Sequence, residues 1–268
     1  MQSTISCPYF RRAFGWCVPI GALGGLIGLG GGELRLPVLM YAIGFDAKSA
    51  VPLNLIVSLI TLAFAMVSRS RVVSLDLLSA HLPEIIGLTA GGMISAFCGA
   101  RLAHVLSTRR LVQLIALLLA ALGSLVLVEA AFPFQYMELV PLSPAFRLAA
   151  GIAAGIGIGL VSSLLGVAGG ELLIPTLIFL FGADIKTAGS ASIFISLGVV
   201  VIGLWRYQQM RAIPGGRGVQ RITFAMSLGS IIGAILGGLA VAHAPVVLLK
   251  FLLGSILLAA AFKTLARH

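Results

Sequence analysis

Gly31-Gly32-Glu33-Leu34-Arg35-Leu36-Pro37 interrupts a long apolar run, and 138 positions further on Gly169-Gly170-Glu171-Leu172-Leu173-Ile174-Pro175 interrupts another. Glycine clusters break helices, and a carboxylate among apolar residues is costly wherever water is absent. A single break of this kind needs little explanation. The same break twice, in the same order and followed by proline both times, points to the architecture and to the working site together.

Around these phrases the composition sets the class. The chain has 268 residues, 59% hydrophobic and 10% charged, with a mean hydropathy of +1.12. Those values predict an all-α integral membrane protein. Uninterrupted apolar stretches at 111–128, 188–205 and 245–262 approach the length of a spanning helix. A net charge of +10 would suggest nucleic acid in a soluble protein. Here Lys and Arg are scattered between apolar segments and read as topology markers and lipid-headgroup contacts, with no nucleic-acid partner. Cys7, Cys17 and Cys98 have neither metal-ligand spacing nor a disulfide framework. The apolar run after Arg11 and Arg12 continues into the first break without an Ala-x-Ala cleavage site, so it reads as a retained segment.

Sliding the chain by 138 residues aligns more than the opening phrase. Gly21 meets Gly159, Gly28 meets Gly166, Asp46 and Lys48 meet Asp184 and Lys186, Ser58 meets Ser196, and Gly91 and Gly99 meet Gly229 and Gly237. The division that follows is a first transmembrane repeat at 1–128, an interfacial linker at 129–147 and a second repeat at 148–268. Each repeat reads as four apolar segments: 14–44, 48–68, 79–105 and 109–129, then 148–182, 186–206, 219–242 and 245–266. The opening segment of each is broken, either as one kinked crossing or as a re-entrant hairpin. Four crossings per unit make the halves parallel; a hairpin plus three makes them inverted. The positive-inside rule favours inversion, with Arg11, Arg12, Lys48, Arg101, Arg109, Arg110, Arg206, Arg211, Arg217, Arg221, Lys263 and Arg267 cytoplasmic and Arg69, Arg71, Arg147 and Lys186 outside. Both arrangements place the two termini in the cytoplasm of a multi-pass cell (inner) membrane protein.

Rows of small residues, Gly91/Ser95/Gly99, Gly229/Gly233/Gly237 and Gly151/Gly155/Gly159, allow helix backbones to approach closely. They predict packing within the chain, or else a homodimer face.

The breaks carry the chemistry. A helix restarting inside the membrane presents N–H groups with no intrahelical acceptor, at the positive end of its dipole. Such an end can hold a small anion. The expected substrate contacts are Gly30, Gly31 and Gly32 with Ala168, Gly169 and Gly170, together with Arg35 and the polar groups Asn54, Ser58, Ser190, Ser192 and Ser196 on the following segments. Glu33 and Glu171 either cap the helix ends or carry protons. Arg35 has Leu173 as its counterpart; it either pairs with Glu33 or Glu171 or supplies a cation to the anion. Asp46 and Asp184 are expected to cap the next helices, with Lys48 and Lys186 at the interface.

The Gly-x-Gly-Gly-Gly-x-x-x-x-Pro phrase at 28–37, its partner at 166–175 with Ala168 at the middle glycine, and the duplication of nearly the whole chain resemble the TauE/SafE sulfite exporter family of membrane permeases. That resemblance implies export of a small sulfur-containing oxyanion, such as sulfite, sulfoacetate or another organosulfonate, linked to protons and without cofactor. The alternative is a proton- or cation-coupled transporter of a neutral solute or metal. For a metal site the chain offers few ligands, since His81, His104, His243 and His268 stand near segment ends. No Walker motif and no nucleophile–base constellation suggests an enzyme.

Overall fold

A computed structural model of the chain describes residues 7–70, 79, 81–132, 143–240 and scattered positions between 245 and 262. The inner part of the expected linker (133–142), most of the expected last segment (245–266), Arg71, His243, Lys263, Arg267, His268 and the side chain of Lys186 lie outside the described residues.

The first half contains α1 (Cys7–Ile27), α2 (Gly32–Pro37), α3 (Ala47–Arg69), α4 (Leu82–Val105) and α5 (Thr108–Ala131). The second contains α6 (Pro144–Leu165), α7 (Gly170–Phe181), α8 (Ile185–Gln209) and α9 (Arg217–Ala240). Among the described residues there is no strand. The helices α3, α4, α6 and α9, with Thr187–Gln209 of α8, are long and apolar enough to cross a membrane. The chain is a multi-pass membrane protein.

Local chemistry explains the helix starts. Asp46 accepts from the Ser49 N–H at 3.3 Å, and Asp184 accepts from the Thr187 N–H at 3.1 Å, so both cap as expected. Proline occupies the first turns of α4 and α6, where no N–H is needed. After Pro37 the chain widens into a π-helical turn, Val38–Ile43, since the proline cannot donate and the ladder shifts to longer bonds. Pro175 sits inside α7 without that effect. α1 begins at Cys7, seven residues ahead of the apolar stretch expected from residue 14.

Packing exchanges helices between the halves. In α1, Gly21 and Gly25 stand against Ser230 and Ala234 of α9, while Gly229, Gly233 and Gly237 stand against Phe14, Val18 and Ala22. In α4, Gly87, Gly91 and Gly99 stand against Leu148, Ile152 and Leu160 of α6. Residue numbers rise together in both pairs, so α1 is parallel to α9 and α4 to α6. A methyl group added at Gly21 would lie 2.5 Å from the Ser230 carbonyl oxygen, and one at Gly155 would lie 2.5 Å from that of Leu88. Overpacking of this kind costs roughly 1–3 kcal/mol per site. These small-residue rows are therefore used inside the chain.

Polar ties fix the ends. Lys48 Nζ donates to the His104 carbonyl at 3.2 Å, bringing the start of α3 to the end of α4. At the opposite end Arg147 Nη1 donates to the buried Glu84 at 3.0 Å, and His81 Nδ1 lies 2.6 Å from the same carboxylate.

Candidate functional site

Residues 28–31 and 166–169 are buried within the protein. Irregular backbone at membrane depth is tolerated only under that condition. Gly31 and Gly169 precede α2 and α7 with φ of 69° and 81°, a left-handed conformation that a side chain would strain.

The two breaks touch each other. Gly32 faces Val167 and Gly170 faces Leu29; Gly28 faces Gly189 and Gly166 faces Val51. Each contact is the other's counterpart under the 138-residue shift. Gly30 faces Ala168, its own counterpart, and a methyl on Gly30 would lie 3.1 Å from the Ala168 Cβ. Ala168 occupies space that Gly30 leaves open, and Gly30, with φ of 81° and an added methyl 3.0 Å from Leu62 Cδ2, has no place for a side chain of its own.

The carbonyls freed by the breaks find side-chain donors. Asn54 Nδ2 donates to the carbonyls of Gly32 and Gly166, both at 2.7 Å. Its counterpart Ser192 has its hydroxyl 2.8 Å from the Gly28 carbonyl and 2.9 Å from that of Gly189. Arg69 Nη1 reaches the carbonyls of Gly25 and Leu26 at the end of α1, and the Tyr207 hydroxyl donates to Ser163 at the end of α6, at 3.1 Å. These groups meet the hydrogen-bonding needs of broken backbone away from water.

Glu33 and Glu171 meet at the centre, carboxyl to carboxyl. Both are almost fully buried. The N–H groups of Glu33 itself and of Ala168 face the Glu33 carboxyl. Among the described residues no group completes a hydrogen bond of good geometry to either carboxyl.

Arg35 is fully buried and departs from one expectation. Among the described residues no ion pair joins it to Glu33 or Glu171. Positions 33 and 35 are two residues apart in α2 and point to different sides. The glutamate side chain turns to its twin and the arginine turns to α3 and α9. There Nη2 donates to Ser58 at 2.7 Å, and Nη1 donates to Thr61 at 2.9 Å and to Ser230 at 3.2 Å. Nε donates to Asn54 Oδ1 at 3.3 Å. Thr61 in turn donates to the Val57 carbonyl at 2.7 Å, which leaves its lone pairs for the guanidinium. Every hydrogen-bond partner is neutral, and the nearby acidic groups Glu33 and Glu171 act on the guanidinium without an ion pair. With five N–H donors and four contacts, one N–H on Nη2 is not used by them.

The counterpart of this socket is apolar. Leu173 replaces Arg35, Val199 replaces Thr61 and Gly92 replaces Ser230. Ser196 replaces Ser58, and its buried hydroxyl has no partner among the described residues. Ser190 is buried nearby in α8.

Sequence reasoning missed Thr61, Ser230 and Cys17. Thr61 continues the face of α3 marked by Asn54 and Ser58, at helical spacing, so it was accessible. Ser230 comes from a helix 195 positions away, with no local signal. Cys17, whose thiol lies against the Ser230 hydroxyl, reads locally as an apolar packing residue.

No curated protein and no solved structure matches the chain. The family model of Sulfite exporter TauE/SafE matches residues 150–268, so the family that the doubled phrase resembles is the one found over the second half of the chain.

Proposed function

We propose that the chain is a secondary transporter, not an enzyme, exporting a small sulfur-containing oxyanion such as sulfite or an organosulfonate, with protons as the coupled ion. Arg35 carries this reading: a buried guanidinium held only by neutral groups. A charge removed from water is costly; with no ion pair to either glutamate among the described residues, its placement is best explained by an anion that arrives and leaves. Guanidinium forks suit oxyanions, which accept two parallel N–H bonds. Asn54 and Ser58 complete the first contacts, joined by Thr61 and Ser230. The backbone at Gly30–Gly32 and 168–170, with Ser190, Ser192 and Ser196, forms the remaining wall around the helix ends.

Glu33 and Glu171 serve as one proton-carrying pair. Two carboxylates in contact repel when both are ionised, and one proton shared between them relieves this. In this conformation they stand at the helix ends; a second proton or an arriving anion changes the balance at that place. Protons and substrate are thereby linked through the same few ångströms.

Inverted units are the arrangement we infer. Supporting it, α1 is parallel to α9, and α9 to α3, with Thr61 beside Ser230 at Arg35 and Ser68 beside Gly238. The Lys48–His104 tie makes α4 antiparallel to α3, and α6 follows α4. The first helix of one unit thus runs opposite to the first helix of the other. Two broken helices crossing near midplane suit alternating access. The orientation that fits the positive-inside rule has cytoplasmic termini in the cell membrane.

Flux of sulfite and of sulfoacetate into or out of proteoliposomes, with and without a pH gradient, tests the reading. Arg35→Leu is expected to lower flux of both by about 100-fold or more, the scale of losing a charged, buried hydrogen-bond partner. Undiminished flux in that variant would remove Arg35 from the site.

A further inference from the structure

A cavity of about 590 Å³ opens between α3 and α9, lined by Leu53, Ile56 and Ile60 on one side and by Gln220, Thr223 and Ser227 on the other. The spacing of the α9 residues puts them on one helical face. The next polar residue in that series is Ser230, whose hydroxyl accepts from Arg35. A polar stripe of Gln220, Thr223 and Ser227 therefore runs about 10 Å along one wall of an otherwise apolar space, and Ser230 lies one turn further on, beyond the lining.

The two ends differ. At the outer end Gln220 is exposed, and Pro214 and Gly215 of the α8–α9 connection also line the space. At the inner end the Ser227 hydroxyl is buried and has no hydrogen-bond partner among the described residues. A buried hydroxyl of this kind is costly to leave unpaired, and a rotation of the side chain toward the cavity would let a passing oxyanion or its water supply the partner. A lipid chain in the same place would not.

The counterpart of this space is closed. The 138-residue shift turns Ile60, Ser227 and Ile231 into Gly198, Thr89 and Met93. A methyl placed on Gly198 would lie 3.1 Å from Thr89 Cγ2 and 3.3 Å from Met93 Sδ. The helices α4 and α8 touch where α3 and α9 part.

We propose that the cavity between α3 and α9 is the aqueous path by which the anion reaches Arg35, with Gln220, Thr223 and Ser227 as successive contacts, and that the equivalent path between α4 and α8 is shut in this conformation. The inference rests on Arg35 as the anion site. The guanidinium bound to Ser230, one turn past Ser227 and without an ion pair among the described residues, makes the path progressively more favourable to negative charge.

Single cysteines at Gln220, Thr223, Ser227 and Thr89, in the full chain with Cys7→Ala, Cys17→Ala and Cys98→Ala and in lipid nanodiscs, test it. The probes are an anionic and a cationic methanethiosulfonate of similar size. Thr223→Cys and Ser227→Cys are expected to react with the charged reagents and Thr89→Cys to resist them. The anion-to-cation rate ratio should rise about tenfold from Gln220→Cys to Ser227→Cys, within the range by which a charged cleft concentrates ions. Adding Arg35→Leu should abolish that rise. Inertness of Thr223→Cys and Ser227→Cys to both charged reagents, with reaction toward a lipid-soluble maleimide, would overturn the proposal and identify a lipid-filled groove. Reaction without any preference for the anion, and unchanged by Arg35→Leu, supports the path and rejects Arg35 as the anion site.

Discussion

The surroundings of α2 and α7 are built on one plan and finished differently. Asn54 and Ser192 serve the broken backbone in the same way, each from the same position of its helix. Arg69 and Tyr207 reach equivalent carbonyls, Gly25 and Ser163, with a cation in one case and a phenol in the other. Past that common frame the two part. Around α2 there is a guanidinium and four neutral partners; around α7 there are Leu173, Val199 and Gly92, with the Ser196 hydroxyl left over. Matched residues supply the common frame, and Arg35, where Leu173 stands in the other half, supplies the charge. One anion per chain, not two, is therefore expected.

The largest expected effect comes from erasing the difference in the wrong direction. Leu173→Arg would bury a second cation beside Ser196 but without counterparts of Thr61 and Ser230, costing about 3–5 kcal/mol of stability. Loss of folded protein in thermal unfolding checks this, and Val199→Thr added to it should recover part of the loss. Next is Arg35→Lys, which keeps the charge and loses the fork. Sulfite flux should fall by about tenfold or more, since one ammonium cannot reach Ser58, Thr61, Ser230 and Asn54 together. Full flux in the lysine variant would mean that charge alone is read.

Glu33→Gln and Glu171→Gln address the place where the two copies meet as equals. Either change removes one of the two carboxyls and with it the shared proton. Flux driven by a pH gradient should fall to its gradient-free level in both variants, while binding of sulfite persists. A different outcome for the two variants would show that the pair is not equivalent. Tyr207→Phe is expected to be the mildest, about 1 kcal/mol in unfolding experiments, for one hydrogen bond to the Ser163 carbonyl.

Much of this was open to the sequence because it depends on local rules. Glycine breaks, the Asp46 and Asp184 caps and the polar face of α3 follow from spacing within a few residues. The small-residue rows announced close helix contacts, but their partners could not be named, because α1 packs on α9 and α4 on α6, across most of the chain. Arg35 shows the same limit at the site. Its neighbour in sequence, Glu33, was the obvious partner, yet the helix turns them apart and tertiary structure brings Ser230 instead. The meeting of Glu33 with Glu171 depends on how the halves cross, which no local pattern encodes.

On the function proposed above, only the half that carries Arg35 holds the anion. Equilibrium binding of sulfite to the purified, lipid-embedded chain, measured as stoichiometry by titration calorimetry, tests it most directly. The account predicts one sulfite per chain in the native protein and none in Arg35→Leu, with the variant still folded. Two sulfites per chain, or one retained in Arg35→Leu, would contradict it.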